Sequence, residues 1–104
     1  MTREQMQKYR WDIVDIYLDI VSDHCARLIP GMFNVNPIFR FYLGRIKSSL
    51  NYSLYQGREI IKTVCRCAFN DSQLTDIESI VLIELCHDVR LDNILLEVNY
   101  NESW

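Results

Sequence analysis

Apolar residues recur at three- and four-residue steps along most of this chain, which is the spacing that gathers side chains on one face of an α-helix. Between residues 3 and 28 this spacing predicts a first helix, ended by Ile29-Pro30-Gly31, because proline restricts the residue before it and glycine tolerates positive φ. The apolar positions of this helix are Tyr9, Ile13, Ile16, Tyr17, Ile20, Val21 and Leu28. Four aspartates repeat with the same period on another face and predict a solvated acidic stripe: Asp12, Asp15, Asp19 and Asp23.

The same periodicity predicts three further helices, over residues 37–51, 54–69 and 75–90. The segment Ile80–Ile83 is apolar all round, so we expect the last of these helices to be buried in the centre. Residues 92–98 fit either a fifth short helix that begins with an aspartate cap or a lone strand.

Helix-start signals agree with these boundaries. A Ser or Thr followed three residues later by Gln or Glu can form a capping box, in which both side chains satisfy backbone N–H groups at the helix start. Inside the second helix, Gly44 costs about 1 kcal/mol relative to alanine, and we expect it to permit a close helix–helix crossing. The helix-start signals are Thr2/Gln5, Asn36-Pro37, Ser53/Gln56 and Thr75/Glu78.

Length and composition indicate one small helical domain. The chain has 104 residues, which is a usual size for a single domain. Its three glycines and two prolines are too few for a turn-rich β-sandwich. We therefore predict an all-α fold, a four- to five-helix bundle that forms a single domain over residues 1–104.

The sequence predicts an intracellular protein. Its first residues, Met1–Tyr9, are polar, and its most apolar stretch is far shorter than the ~20 residues of a membrane span. Four cysteines without a secretory signal are typical of reduced thiols. We expect a cytoplasmic or nuclear location and no membrane partner.

Cysteine and histidine fall in three short clusters: His24-Cys25, Cys65-Arg66-Cys67 and Cys86-His87. Neighbours one or two apart on a helix point about 100° or 200° away from each other, so these clusters do not predict a shared zinc site. Pairing Cys25 with His87, or Cys86 with His24, lacks the third group and the glycine-rich turn of a nucleophilic site. We expect buried thiols that act as small hydrophobes, with no catalytic residue, metal or cofactor, and hence no enzyme.

Charge is segregated along the chain. Residues 1–37 carry a net −1, residues 38–70 hold six basic residues against Glu59 alone for +5, and residues 71–104 carry −7. The two opposite segments can neutralise each other within the fold or across a two-fold interface. The sequence leaves open whether the acidic C-terminal third covers the basic segment.

The first functional hypothesis is a non-enzymatic helical protein-interaction module, an adaptor or regulatory subunit that forms a homodimer or joins a complex. An apolar and aromatic surface would supply affinity, while the charged faces would set orientation. The residues predicted to contact the partner are Trp11, Phe39, Tyr42 and Tyr55.

The alternative hypothesis is a helical protein that binds the backbone of duplex RNA or DNA. Arg58, Lys62 and Arg66 step by four and predict one basic stripe on the third helix, and an antiparallel second helix would place further charge on a shared face. The net acidity of the chain works against this hypothesis. The residues of the basic block are Arg40, Arg45, Lys47, Arg58, Lys62 and Arg66.

Overall fold

A computed structural model of the chain describes residues 2–26, 28 and 36–102. These residues contain five α-helices and no β-strand, so the predicted all-α bundle is confirmed. The helices are α1 (Arg3–Cys25), α2 (Pro37–Ser49), α3 (Leu54–Asn70), α4 (Asp76–Cys86) and α5 (Val89–Glu102).

The predicted caps begin the first four helices. Thr2, Ser53 and Thr75 each accept, through the side-chain hydroxyl, the backbone N–H three residues later. At Thr2 and Thr75 the Gln or Glu side chain returns the bond, which completes a capping box. Asn36 accepts the N–H of Ile38 at 2.9 Å, with proline in the first turn of α2 as predicted.

The ends of the first three helices differ from prediction by one to three residues. α1 ends at Cys25 rather than residue 28, and the N–H of Ala26 donates to the Ser22 carbonyl at 3.1 Å. Leu28 is nevertheless buried, so the apolar pattern continues past the end of the helix. α2 ends two residues earlier than predicted and α3 one residue later. The predicted stop at residues 29–31 lies outside the described residues.

The predicted helix over residues 75–90 ends four residues early, at Cys86, because the chain divides there into α4 and α5. Asp88 Oδ1 accepts the N–H of Arg90 at 2.9 Å, and the Asp88 carbonyl accepts the N–H of Leu91 at 3.1 Å. Asp88 thus caps a new helix, and an aspartate in that role interrupts the preceding one. Residues 92–98 lie within α5, so they are helical and the strand alternative is wrong.

α3 and α4 hold the bundle together. α3 packs against α2, α4 and α5, and α4 also packs against α1 and α2. The apolar run in α4 is buried on one side only, since Val81 and Leu82 lie in the core while Ile80 is exposed. The largest apolar side chains of the core include Tyr17, Phe39, Ile46, Leu50, Ile61, Leu82, Leu85, Leu91 and Leu95.

Two buried polar groups connect helices that are distant in sequence. The Tyr17 hydroxyl on α1 donates to the Leu43 carbonyl on α2 at 2.7 Å, and burial raises the pKa of Tyr17. Glu78 is buried at the start of α4, where its Oε1 accepts the Thr75 N–H at 2.9 Å and the Asn36 side-chain amide at 2.8 Å. The capping groups of α2 and α4 therefore share one carboxylate.

The close crossing expected at Gly44 is instead at Gly57. Gly44 is exposed, and a Cβ there would meet no atom within 4 Å. A Cβ at Gly57 would lie 2.5 Å from Leu95 Cδ2 and 2.9 Å from the Ser49 carbonyl oxygen. The prediction for Gly44 is wrong because glycine is also tolerated on an exposed helix face, and only tertiary contacts distinguish the two positions.

Asp88 also joins α1 to the junction between α4 and α5. Its Oδ2 lies 2.7 Å from His24 Nε2 and accepts from Arg90 Nη2 at 2.8 Å, while Arg90 Nη1 reaches Asp23 Oδ2 at 2.7 Å. The Arg90 guanidinium, supported by His24, holds the pKa of the Asp88 carboxyl well below its usual range. The end of α1 is therefore fixed by charged groups as well as by the core.

Substitution of the two glycines by alanine should have opposite effects. We expect G57A to lower the free energy of unfolding by about 1–3 kcal/mol, because the new methyl group overpacks the contact with Leu95. G44A should raise it by about 0.5–1 kcal/mol, because alanine favours the helix and meets nothing. Urea unfolding of both variants measures the difference, and an equal effect at the two positions would contradict this packing.

Replacement of Asp88 by asparagine keeps a helix-capping side chain but removes its charge. We expect D88N to lower the free energy of unfolding by about 1–2 kcal/mol at neutral pH. Because the folded pKa lies below the unfolded value of about 3.9, the carboxylate stabilises the fold above that pH. Its contribution is lost as the pH falls through the folded pKa.

Urea unfolding of D88N and wild type across this pH range tests the charge of Asp88. The gap between the two proteins should narrow in acid, whereas the control E4Q, at an exposed carboxylate, should stay close to wild type throughout. A gap that is independent of pH would show that the charge of Asp88 is not what stabilises the junction.

Candidate functional site

α1 carries an apolar strip on its outer side, formed by Trp11, Val14 and Leu18. Trp11 is 64% exposed and Leu18 is 50% exposed, with Val14 partly exposed between them. Spacings of three and four residues align these side chains along the helix. We call this set the outer strip; the sequence reasoning found Trp11 but missed the two residues that continue it.

The outer strip is uncovered because α1 is long and its buried face points elsewhere. The centre of the buried face lies about 120° around the helix axis from the direction of Trp11 and Leu18. The residues of that face are Ile13, Tyr17, Ile20 and Val21. α1 has 23 residues and a length of about 35 Å, whereas α4, against which it packs, has 11 residues and a length of about 17 Å. No side chain that the structure describes before Ile13 is buried.

The predicted acidic stripe lies beside the outer strip. Asp12, Asp15 and Asp19 are exposed. Asp23, at the end of the stripe, is engaged by Arg90 at 2.7 Å. α1 therefore presents an apolar strip next to three solvated carboxylates.

A groove with basic walls lies between α3 and the end of α4. Its volume is about 280 Å³, and Arg58, Lys62 and Arg66 of the predicted basic stripe line it. The remaining lining residues are Ile61, Cys65, Cys86 and His87. Ile61 and Cys86 are buried, so the floor of this α3–α4 groove is apolar while its walls are charged.

The basic side chains of the groove differ in how far they are neutralised. Arg58 Nη1 forms a part-buried ion pair with Asp92 Oδ1 at 2.9 Å. Lys62 makes a longer, exposed contact of 3.6 Å to Glu59, and such a surface pair contributes little. Arg66 donates to the Thr63 hydroxyl at 3.4 Å. The groove therefore keeps net positive charge at Lys62 and Arg66.

The structure does not bring the whole basic block together. Arg40, Arg45 and Lys47 are exposed on α2, but no residue of α2 lines the groove. The Tyr42 hydroxyl of α2 donates to Asp71, just beyond α3, at 2.6 Å. The side of α3 near Tyr42 carries Cys67, whose thiol contributes to the raised pKa of the Tyr42 hydroxyl. Cys67 points about 140° around α3 from Lys62. The expected basic face shared by α2 and α3 is therefore not formed at the groove.

Two of the four aromatic residues predicted to contact a partner lie in the core. Phe39 is 0% exposed, so it is unavailable to a partner. Tyr42 is 9% exposed, and its hydrogen bond to Asp71 raises the pKa of its hydroxyl to about 12. The other two, Trp11 and Tyr55, are on the surface, and the side chain of Tyr55 is 76% exposed.

The apolar spacing of α2 could have placed these aromatics. Phe39, Tyr42 and Ile46 step by three and four and form the buried face. Phe41, about 200° from Phe39 around the helix, is the exposed aromatic of α2. Phe69 is exposed as well, on the last turn of α3.

The four thiols occupy different environments, in contrast to the expectation that all are buried. Cys86 is buried, Cys25 and Cys65 are partly buried, and Cys67 is exposed. Burial, with the neighbouring Cys65 thiol, raises the pKa of Cys86 to about 12. His24 contacts Asp88 at 2.7 Å. Within the described part of the chain, no three or more Cys, His, Asp or Glu side chains cluster in a way that could hold a metal ion.

Alkylation should distinguish these thiols. At mildly alkaline pH we expect iodoacetamide to modify Cys67 first and Cys86 last, because the thiolate is the reactive form and burial suppresses it at Cys86. Peptide mass spectrometry over time measures each rate, and C67S removes the fast phase as a control. Equal rates at Cys67 and Cys86 in the folded protein would contradict the described burial.

No protein-family model, curated protein or solved structure matches this chain. None of the helices in its described part is long and apolar enough to cross a membrane. The surface features that bear on function are the outer strip, the acidic stripe and the α3–α4 groove.

Proposed function

We propose that this chain is a non-enzymatic protein-interaction module that pairs with a second copy of itself through α1. The observation that carries the proposal is the exposure of Trp11 within an aligned apolar strip. Tryptophan is the residue type most enriched among the dominant contacts of interfaces. A side chain of that size on the surface is stabilised when a partner removes it from water.

The size of the outer strip sets the strength of the pairing that we expect. Three apolar side chains from each copy, at about 2 kcal/mol each, give about 12 kcal/mol. Association itself costs about 4–15 kcal/mol in lost motion. The strip alone thus supports weak pairing, and opposite charges on the two copies would contribute orientation and a faster encounter.

The nucleic-acid alternative draws on the basic stripe of α3. Arg58, Lys62 and Arg66 could follow a phosphate backbone, and their binding would weaken steeply with salt. The alternative is less well supported than pairing because Arg40, Arg45 and Lys47 do not extend this stripe at the groove. The acidic stripe of α1 would also repel a polyanion.

Sedimentation velocity over a range of protein concentrations tests the pairing. We expect a reversible dimer whose dissociation constant rises at least about tenfold in W11S and in L18S, because each variant removes apolar area from the contact. F41S is the matched control, since it removes an exposed aromatic from α2, which does not line the groove, and should pair like wild type. Urea unfolding of each variant verifies that the fold is retained.

Two results would contradict the proposal. One is a wild-type protein that stays monomeric at every concentration. The other is a dimer that folded W11S and L18S leave unchanged. Retention of wild type on duplex RNA with a steep salt dependence, in a protein that does not pair, would favour the nucleic-acid alternative instead.

A further inference from the structure

We infer that the α3–α4 groove is the receptor for Trp11 of a second copy of this chain. The inference rests on the proposed function and adds the surface on which α1 docks. Each copy would donate Trp11 to its partner and receive the partner's Trp11 in its own groove. Such a reciprocal contact closes on itself around a two-fold axis, whereas a one-way contact would continue into a chain of molecules.

The groove has the size and lining that suit one large side chain. Its volume of about 280 Å³ falls just below the ~300–1,000 Å³ of typical small-molecule sites. Its floor is formed by the buried side chains of Ile61 and Cys86. An indole ring placed on this floor would leave water, and its N–H could point to the open side of the groove, because the Arg and Lys walls offer no hydrogen-bond acceptor.

The walls of the groove favour an aromatic occupant. Arg58, Lys62 and Arg66 line the groove in successive turns of α3. A cation over the face of an indole ring is attracted by the electron density of the ring, and tryptophan is the best aromatic partner for this contact. A Trp in the groove would thus gain both burial and cation–π contacts.

The basic stripe beside the groove and the acidic stripe beside Trp11 have opposite charge and similar length. Arg58 and Arg66 are eight residues apart, so the basic stripe extends about 12 Å along α3. Asp12 and Asp19 are seven residues apart, so the exposed part of the acidic stripe extends about 10 Å along α1. α1 docked along α3 can therefore place carboxylates opposite basic groups over the whole contact.

Two charged side chains at the ends of the expected contact between α1 and α3 already form ion pairs within one copy. Arg58 is paired with Asp92, and Asp23 is paired with Arg90. Lys62 and Arg66 on the groove, with Asp15 and Asp19 on α1, are exposed. These four side chains are the ones that a second copy would pair.

The occupant must come from another copy. The end of α1 is fixed near the groove, because His24 contacts Asp88, the residue after His87 of the groove wall. Trp11 is thirteen residues earlier and so about 20 Å away along α1. It is absent from the lining of its own groove and is exposed.

A charge-exchange experiment tests the docking. One variant, K62E/R66E, makes the groove acidic, and the other, D15K/D19K, makes α1 basic. We expect each variant alone to pair at least about tenfold more weakly than wild type. An equimolar mixture should recover the pairing, because both contacts of the mixed dimer then join opposite charges. The control R40E/K47E reverses charge on α2 outside the groove and should pair like wild type.

Alkylation of Cys65, a partly buried thiol that lines the groove, provides a second readout. We expect Cys65 to be protected from iodoacetamide as the protein concentration rises through the dimer range, while exposed Cys67 reacts at a constant rate. The protection should be absent in W11S. Cys67 serves as the internal control because it is on the same helix but does not line the groove.

The outcomes separate this inference from the proposed function. A wild-type protein that does not pair would contradict both the proposed function and the docking of Trp11 in the groove. A second outcome is that W11S weakens the pairing, K62E/R66E and D15K/D19K leave it intact, and Cys65 is not protected. This outcome would contradict the groove as the receptor, while pairing through α1 would still be supported. Loss of duplex RNA binding in K62E/R66E with unchanged pairing would also overturn the inference, since the groove would then serve a nucleic acid.

Discussion

At Gly57, α3 packs against the Leu95 side chain of α5 and against the Ser49 carbonyl oxygen in the last turn of α2, with no side chain of its own at the contact. The distance between three helices is therefore set by a missing methyl group. Arg58, the next residue, then comes within 2.9 Å of Asp92 on α5. Arg58 also lines the α3–α4 groove, so one wall of the candidate site lies directly beside this close approach.

The turn between α4 and α5 serves two surfaces at once. His87 faces the groove, while Asp88 faces the end of α1 and holds His24 and Arg90. A change in the angle of this turn would move the groove wall and the anchor of α1 together. The exposed outer strip is consequently held at a fixed distance from the groove of the same molecule.

Local chemistry explains what the sequence could predict. Caps and apolar periodicity depend on residues within one turn, so four helix starts and the all-α fold were predictable. The break between α4 and α5 at Asp88 was not predictable, because an aspartate can either cap a helix or lie on its exposed face. The role of Gly57 depends on contacts between helices, because only these contacts determine which glycine is closely approached. The burial of Phe39, by contrast, could have been predicted from the apolar spacing of α2. The groove also depends on contacts between helices: its basic walls are predictable as a stripe on α3, but its floor joins Ile61 of α3 to Cys86 of α4.

The carboxylate of Glu78 couples two helix starts that are far apart in the chain. A single oxygen of Glu78 accepts the N–H of Thr75, the cap residue of α4, and the side-chain amide of Asn36, which lies 42 positions before Glu78. The other oxygen is buried without a hydrogen-bond partner in the described part of the chain. Fraying at the beginning of α2 would therefore loosen α4 as well. We expect the starts of these two helices to unfold together, even though α3 lies between them in the sequence.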